Sequence, residues 1–237
     1  MSRHFSAVET DSQGISVKSL RKTLEEWPLN KRKPKILYTV PVRCLRRHSY
    51  TFTETFLLQY GGNPNGATAP LSRRIEVLQL ARVHNLLILE DDPYYYLYYG
   101  SLPPPPSYFA LEAEVDGLMG HVLRFDSFSK ILSAGLRIGV VSGPEPLVRA
   151  IEAHTALSNL QVSSLTQVMT YTLLSSWGYE GFFKHCCNTS AHYRLKRDVF
   201  QKAMMKHLLG LADWVPPESG MFFWCLQQLL LFTFFFG

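Results

Sequence analysis

Four short apolar runs recur along the chain, and they restrict the fold more than any other feature. KILYTV (residues 35–40), LLILE (86–90), HVLRF (121–125) and IGVVSG (138–143) are too short for helices and partly β-branched. They read as buried strands. LSRRIEVLQLARVHN (71–85) stands before the second run and reads as a helix with Leu71, Ile75 and Leu78 on one face. Pro144 opens a helical stretch to about Ala156, and further helices are expected over about 162–177 and 181–209. Uniformly apolar strands that alternate with helices predict a parallel α/β sheet. Hydrophobic residues make up 46% of the 237 positions and charged residues 18%. That composition supplies a core and argues against global disorder.

The chain divides into a segment at 1–34, a core at 35–158, a helical stretch at 159–224 that leads into a smaller second domain, and an apolar tail at 225–237. SLPPPPS (101–107) reads as a stiff surface connector. Residues 42–60 show no clear period. The tail CLQQLLLFTFFFG falls far short of the roughly 20 residues that span a bilayer, so no membrane partner is expected. The formal charge is +5, and much of the excess lies between Lys31 and His48. No nucleic-acid motif accompanies it, and a solvated basic loop is expected rather than a nucleic-acid partner. Cys44, Cys186, Cys187 and Cys225 match no zinc spacing and read as reduced thiols in an intracellular compartment. The start MSRHFSAVETDSQG has no apolar h-region, and Glu9 and Asp11 count against a mitochondrial presequence. Asn188-Thr189-Ser190 matches a glycosylation sequon, read here as chance.

Polar residues collect at the carboxyl ends of the expected strands, where such sheets bind ligands. RFDSFSKILSAGLRIG (124–139) sets Lys130 between Ser129 and a run of small residues. A desolvated lysine amine forms Schiff bases with carbonyls. Ser127, Ser129 and Arg137 suit a phosphate, since hydroxyls donate to its oxygens and a guanidinium grips them in pairs. An aldehyde with a phosphate describes pyridoxal 5'-phosphate, whose ring nitrogen needs a carboxylate partner to stay protonated. EDDPYYYLYYG offers Asp92 for that role. Tyr95, three residues on, and Asn63 in GGNPNG could each donate to the phenolate oxygen. Singly these features are ordinary: a turn, a strand-end cap, a packed tyrosine cluster, a lone lysine. Their joint order at strand ends is what points to one site.

In KILYTVP, ARVHNLLILEDDPYYYL, RFDSFSKILSAGLRIGVVSGP and PESGMFFW the chain resembles the fold-type I pyridoxal-phosphate aminotransferases of class I/II, the kynurenine/α-aminoadipate aminotransferases among them. The resemblance spans roughly 11–41 and 62–224. It implies a large-domain-like, mostly parallel sheet with flanking helices, incomplete at both ends. It implies that Lys130 carries the Schiff base and shuttles a proton between the substrate α-carbon and the cofactor. Asp92 would pair with the pyridinium, Asn63 and Tyr95 with the phenolate oxygen, and Ser127, Ser129 and Arg137 with the phosphate. The reaction implied is transamination between an amino acid of the kynurenine or 2-aminoadipate kind and 2-oxoglutarate, in a homodimer, in cytoplasm or mitochondrion.

The departures are specific. Asn65 stands where the family's Asn-Pro-Thr-Gly loop has threonine. Residues 42–61 form an insertion where the family has a short link. The upstream strands, the aromatic that stacks on the cofactor and the arginine that grips the substrate α-carboxylate have no counterpart in the chain. A second reading is therefore a non-catalytic truncated product that binds the cofactor weakly or pairs with a full-length subunit. A third is a basic nucleic-acid module resting on residues 31–48.

Overall fold

The computed structural model describes residues 6–11, 13–38, 68–115, 117, 119–223 and 225–227. A hairpin of β1 (Thr10–Asp11) and β2 (Gly14–Ile15) leads into α1 (Val17–Glu25). The Ser16 hydroxyl accepts from the Ser19 amide at 3.2 Å and caps α1. Then follow β3 (Ile36–Tyr38), α2 (Leu71–Val83), β4 (Leu87–Asp91), α3 (Tyr108–Val115), β5 (Val122–Ser127) and β6 (Gly139–Ser142). Two long helices come next, α4 (Glu145–Ser158) and α5 (Ser164–Leu208), and then β7 (Ala212–Trp214) and β8 (Cys225–Gln227).

The main sheet has the order β3-β4-β5-β6. The first three strands are parallel, and β6 runs antiparallel to β5. The sheet is mostly parallel, as the family resemblance implies, with the antiparallel pairing confined to its fourth strand. Residues 128–138 are too few for a crossover, which needs about a dozen residues and usually a helix. The chain turns back on itself instead.

Register explains both the core and the site. Leu37, Ile88 and Val122 lie opposite one another across three strands and are all buried. They floor a core that α1, α2 and α3 cover through Leu20, Leu24, Val77, Leu78, Tyr108 and Leu111. Side chains on a strand repeat every second residue. Two positions further on, the same face carries Glu90 opposite Arg124. The apolar floor gives way to charge as the strands reach their carboxyl ends.

Helix α2 buries Leu78 of the expected face and half-buries Ile75, but turns Arg74 inward beside them and leaves Leu71 outside. Leu71 is 45% exposed, while Arg74, Val77, Leu78, Leu80 and Ala81 are buried. Arg74 is the reason. Its Nε donates to the Ala69 carbonyl at 2.9 Å and its Nη1 to that of Pro106 at 2.7 Å. Prolines have no N–H and cannot pair as a strand, so the end of the connector at 101–107 folds its carbonyls onto this guanidinium. The two helices expected across 162–209 both form and meet at Gly178, whose φ 61° and ψ −172° are not helical, so α5 is two helical halves joined by a kink. The first residues of the apolar tail, Cys225–Gln227, pair as β8 with β7. Residues 42–61, Asn63 and 228–237 lie outside the described residues.

Candidate active site

β4 and β5 are neighbours, and both deliver polar residues at the same edge of the sheet. The Asp92 amide donates to the Phe125 carbonyl at 3.0 Å, which extends the ladder one step beyond β4. β5 ends at Ser127, and the next three residues, Phe128–Lys130, form a 3₁₀ turn. The Ser127 hydroxyl accepts from the Ser129 amide at 3.2 Å and caps that turn. Asp92 and the lysine turn thus lie at the carboxyl ends of adjacent parallel strands, at one end of the sheet.

Asp92 is 1% exposed, and neither carboxylate oxygen has a hydrogen-bond partner among the described residues. Burial pushes its carboxyl well above the usual aspartate range, and Glu90 and Asp126 push the same way while Arg124 and Arg74 oppose. Asp91 is different. It accepts from the Tyr38 hydroxyl at 3.1 Å and is partly exposed. The two acids of one strand end are therefore unlike: one has a donor and the other is left without.

Arg124 holds the charges of the site together. It is 6% exposed, donates to Asp126 at 2.7 and 2.6 Å, and sits 3.5 Å from Glu90. Its guanidinium lies 4.5 Å from the Tyr95 ring centroid, a cation–π contact. Glu90, fully buried, accepts from the amides of Tyr108 and Phe109 at 2.9 and 3.0 Å and so anchors the start of α3. Tyr95 stands edge-on to Tyr96 at 5.1 Å, and burial raises its phenol above the ordinary value.

Arg137 follows a second 3₁₀ turn, Ala134–Leu136, and has φ 54°, the left-handed region that a side chain adopts at a cost. It is exposed, and its Nη1 donates to the Ala134 carbonyl at 3.2 Å. Of the residues singled out from sequence, Asp92, Tyr95, Ser127, Ser129 and Lys130 come to the carboxyl end of β4 and β5, Arg137 lies on the loop leading into β6, and Asn63 lies outside the described residues. The sequence reading missed Glu90 and Arg124. Their signal was a charge inside an otherwise apolar strand.

A second small core supports this end of the molecule. Tyr94, Leu97, Ile131 and Cys186 form its centre, with Phe128, Phe182 and Phe222 packed against it. The strand-like residues 97–99 bond to 218–220, with the Tyr99 amide on Glu218 at 2.8 Å and the Gly220 amide on Leu97 at 3.0 Å. The tyrosine block and the lysine turn are therefore buttressed by later parts of the chain.

Residues 5–228 match the family model of the class I and II aminotransferases, and the chain belongs to that family. Its relatives include aminotransferase tdiD of Emericella nidulans, 43% identical over 94% of this chain and 47% of that protein. The mitochondrial kynurenine/α-aminoadipate aminotransferase of Bos taurus is 38% identical over 92% and 47%. Among solved structures, the Pyrococcus horikoshii kynurenine aminotransferase, in complex with PMP, superposes with a TM-score of 0.75 at 29% identity, over 92% of this chain and 47% of that one. LysN of Thermus thermophilus, an α-aminoadipate aminotransferase solved with N-(5'-phosphopyridoxyl)-L-leucine, gives 0.77 at 26% identity, over 94% and 49%. Pyridoxal phosphate is the cofactor of this family. The chain spans about half the length of the curated relatives it matches. Among the described residues no helix is long and apolar enough to cross a membrane.

Proposed function

We propose that this chain supplies the cofactor-binding half of a pyridoxal-phosphate-dependent aminotransferase, with Lys130 as the reacting amine. One observation carries the reading: among the described residues, both oxygens of the buried Asp92 carboxylate are without donors, beside the lysine-bearing turn of the next strand. A carboxylate in that state suits a cationic N–H donor, and a protonated pyridine nitrogen is one. When bound, the cofactor supplies the electron sink for amino-group transfer.

The remaining roles belong to the chain's own residues. Asp92 holds the ring nitrogen protonated. Arg124 favours the carboxylate form of Asp92, against the burial that raises its pKa. Ser127, Ser129 and Arg137 hold the phosphate, and Tyr95, with Asn63 from its turn, donates to the phenolate oxygen. Lys130 holds the cofactor at rest and afterwards moves a proton to or from the substrate α-carbon as general base and acid. In this reading residues 35–158 are the cofactor-binding core and 159–224 lead toward a second domain. The names of these relatives support a kynurenine or 2-aminoadipate donor; to this we add 2-oxoglutarate as acceptor and a setting in cytoplasm or mitochondrion. A homodimer accords with the exposed apolar side chains Leu157, Leu165, Val168, Met169 and Tyr171 of α4 and α5.

A second reading rests on the same length fact: a chain spanning about half of its relatives binds the cofactor without turnover. The two separate in one assay. The purified chain with pyridoxal phosphate, kynurenine or 2-aminoadipate, and 2-oxoglutarate forms glutamate if the first holds. Cofactor binding without glutamate supports the second. Absence of both, from a folded sample, overturns the proposal.

A further inference from the structure

The turn that carries Lys130 is tied from outside its own strand. Ile131, the next residue, is 5% exposed, and its amide returns to the Phe128 carbonyl at 3.3 Å. Its own carbonyl has left the sheet ladder. That oxygen lies 2.6 Å from Nε2 of His185, on α5. A carbonyl only accepts, so the imidazole bears a proton on Nε2 and donates it. Two neighbours fix the ring. Trp177 lies 4.8 Å away at a 32° tilt, and the Thr189 hydroxyl sits 3.4 Å from the same nitrogen while donating to the His185 carbonyl at 2.9 Å.

The same helix holds the other side of the site. Ser190, 7% exposed, donates its hydroxyl to the Tyr96 carbonyl at 2.8 Å. Cys186 packs between these anchors, against Ile131, Tyr94 and Leu97. One stretch of α5 therefore binds the lysine turn through His185 and the tyrosine block through Ser190.

We infer that His185 is a positioning residue for Lys130: its hydrogen bond to the Ile131 carbonyl fixes the turn from which the reacting amine springs. The inference rests on the proposed role of Lys130. A lysine side chain has four rotatable bonds and reaches many places. Its amine is held in one place only if the backbone beneath it is held. A displacement of about 1 Å costs such a centre on the order of a hundredfold in rate. An apolar ring at 185 would fill the same space but leave a buried carbonyl without a donor.

The test compares the whole chain with His185→Ala and His185→Gln, since glutamine keeps an N–H donor at similar reach. The first readout needs no cofactor. Hydrogen exchange of peptides covering residues 128–136 should quicken about tenfold in His185→Ala and return to within about twofold in His185→Gln, with α2 and β4 unchanged. The second is a spectroscopic and mapping readout: pyridoxal phosphate is added, trapped with borohydride, and located by peptide mass. Label at Lys130 should fall about tenfold in His185→Ala and recover in His185→Gln, while label at exposed Lys202 and Lys206 stays constant. Equal exchange in the alanine variant and the parent overturns the inference. So does faster exchange with undiminished Lys130 label, or a loosening of the whole chain that glutamine does not rescue. If the parent itself labels Lys130 no better than Lys202, the proposed function fails, and the exchange contrast alone then decides whether His185 holds the turn.

Discussion

A buried carboxylate without a donor works against folding, and among the described residues Asp92 is such a group. Its folded pKa lies above the ordinary 3.8. Between those two values the folded chain keeps a proton that the unfolded chain has lost, so this group's contribution falls as pH rises through that window. Asp92→Asn should therefore stabilise the cofactor-free chain at pH 7.5 by about 1–3 kcal/mol, with the gain shrinking toward pH 4. Urea denaturation at several pH values checks this, and a variant less stable than the parent at pH 7.5 contradicts it. The same variant should lose most of its affinity for pyridoxal phosphate, the usual trade between stability and function. Arg124→Met should act in the opposite sense. It strands Glu90 and Asp126 beside Asp92, and removing one partner of a buried charge cluster costs about 3–5 kcal/mol. The sequence singles out Asp92 and Lys130 through their strand-end positions and the chemistry of lysine. Arg124 is not singled out, because its value depends on lying opposite Glu90, a register that no single strand reveals.

The elements were legible where a period governs them and obscure where a polar residue does. The apolar runs predicted four strands, and all four form in the described residues. The direction of β6 depends on how few residues precede it, which periodicity does not report. The inward face of α2 depends on Arg74, which an apolar pattern counts as outward. The β1–β2 hairpin and α1 were not anticipated; the two-residue strands are too short to show a pattern, while α1 had one in Leu20 and Leu24 a turn apart behind the Ser16 cap. In α5 the break was anticipated near the right place. Gly178 sits at φ 61° and ψ −172°, a region essentially closed to side chains. Gly178→Ala should cost about 1–3 kcal/mol, read as a lower denaturation midpoint with an unchanged slope. A variant as stable as the parent contradicts that account of the break. The break also sets the direction of the later half of α5, from which His185 and Ser190 reach the site.

At the scale of the whole molecule, an apolar floor that turns charged at the carboxyl ends of its strands brings an acid without a donor and a lysine turn to one end of the sheet. That arrangement follows from strand pairing alone and does not require the residues outside the described ones. The family was legible from four short segments, two of which, ARVHNLLILEDDPYYYL and RFDSFSKILSAGLRIGVVSGP, span the ends of β4 and β5 and the turn between β5 and β6. The reading of residues 42–61 as an insertion and of Asn65 as a substitution rests on comparison with the family pattern alone, since no local period constrains them. The most direct test of the account is the absorption spectrum of the purified chain mixed with pyridoxal phosphate, recorded for the parent and for Lys130→Ala. The account predicts a Schiff-base band near the visible edge in the parent and its loss in the variant with the fold intact. A band of equal strength in both, or none in a folded parent, would contradict it.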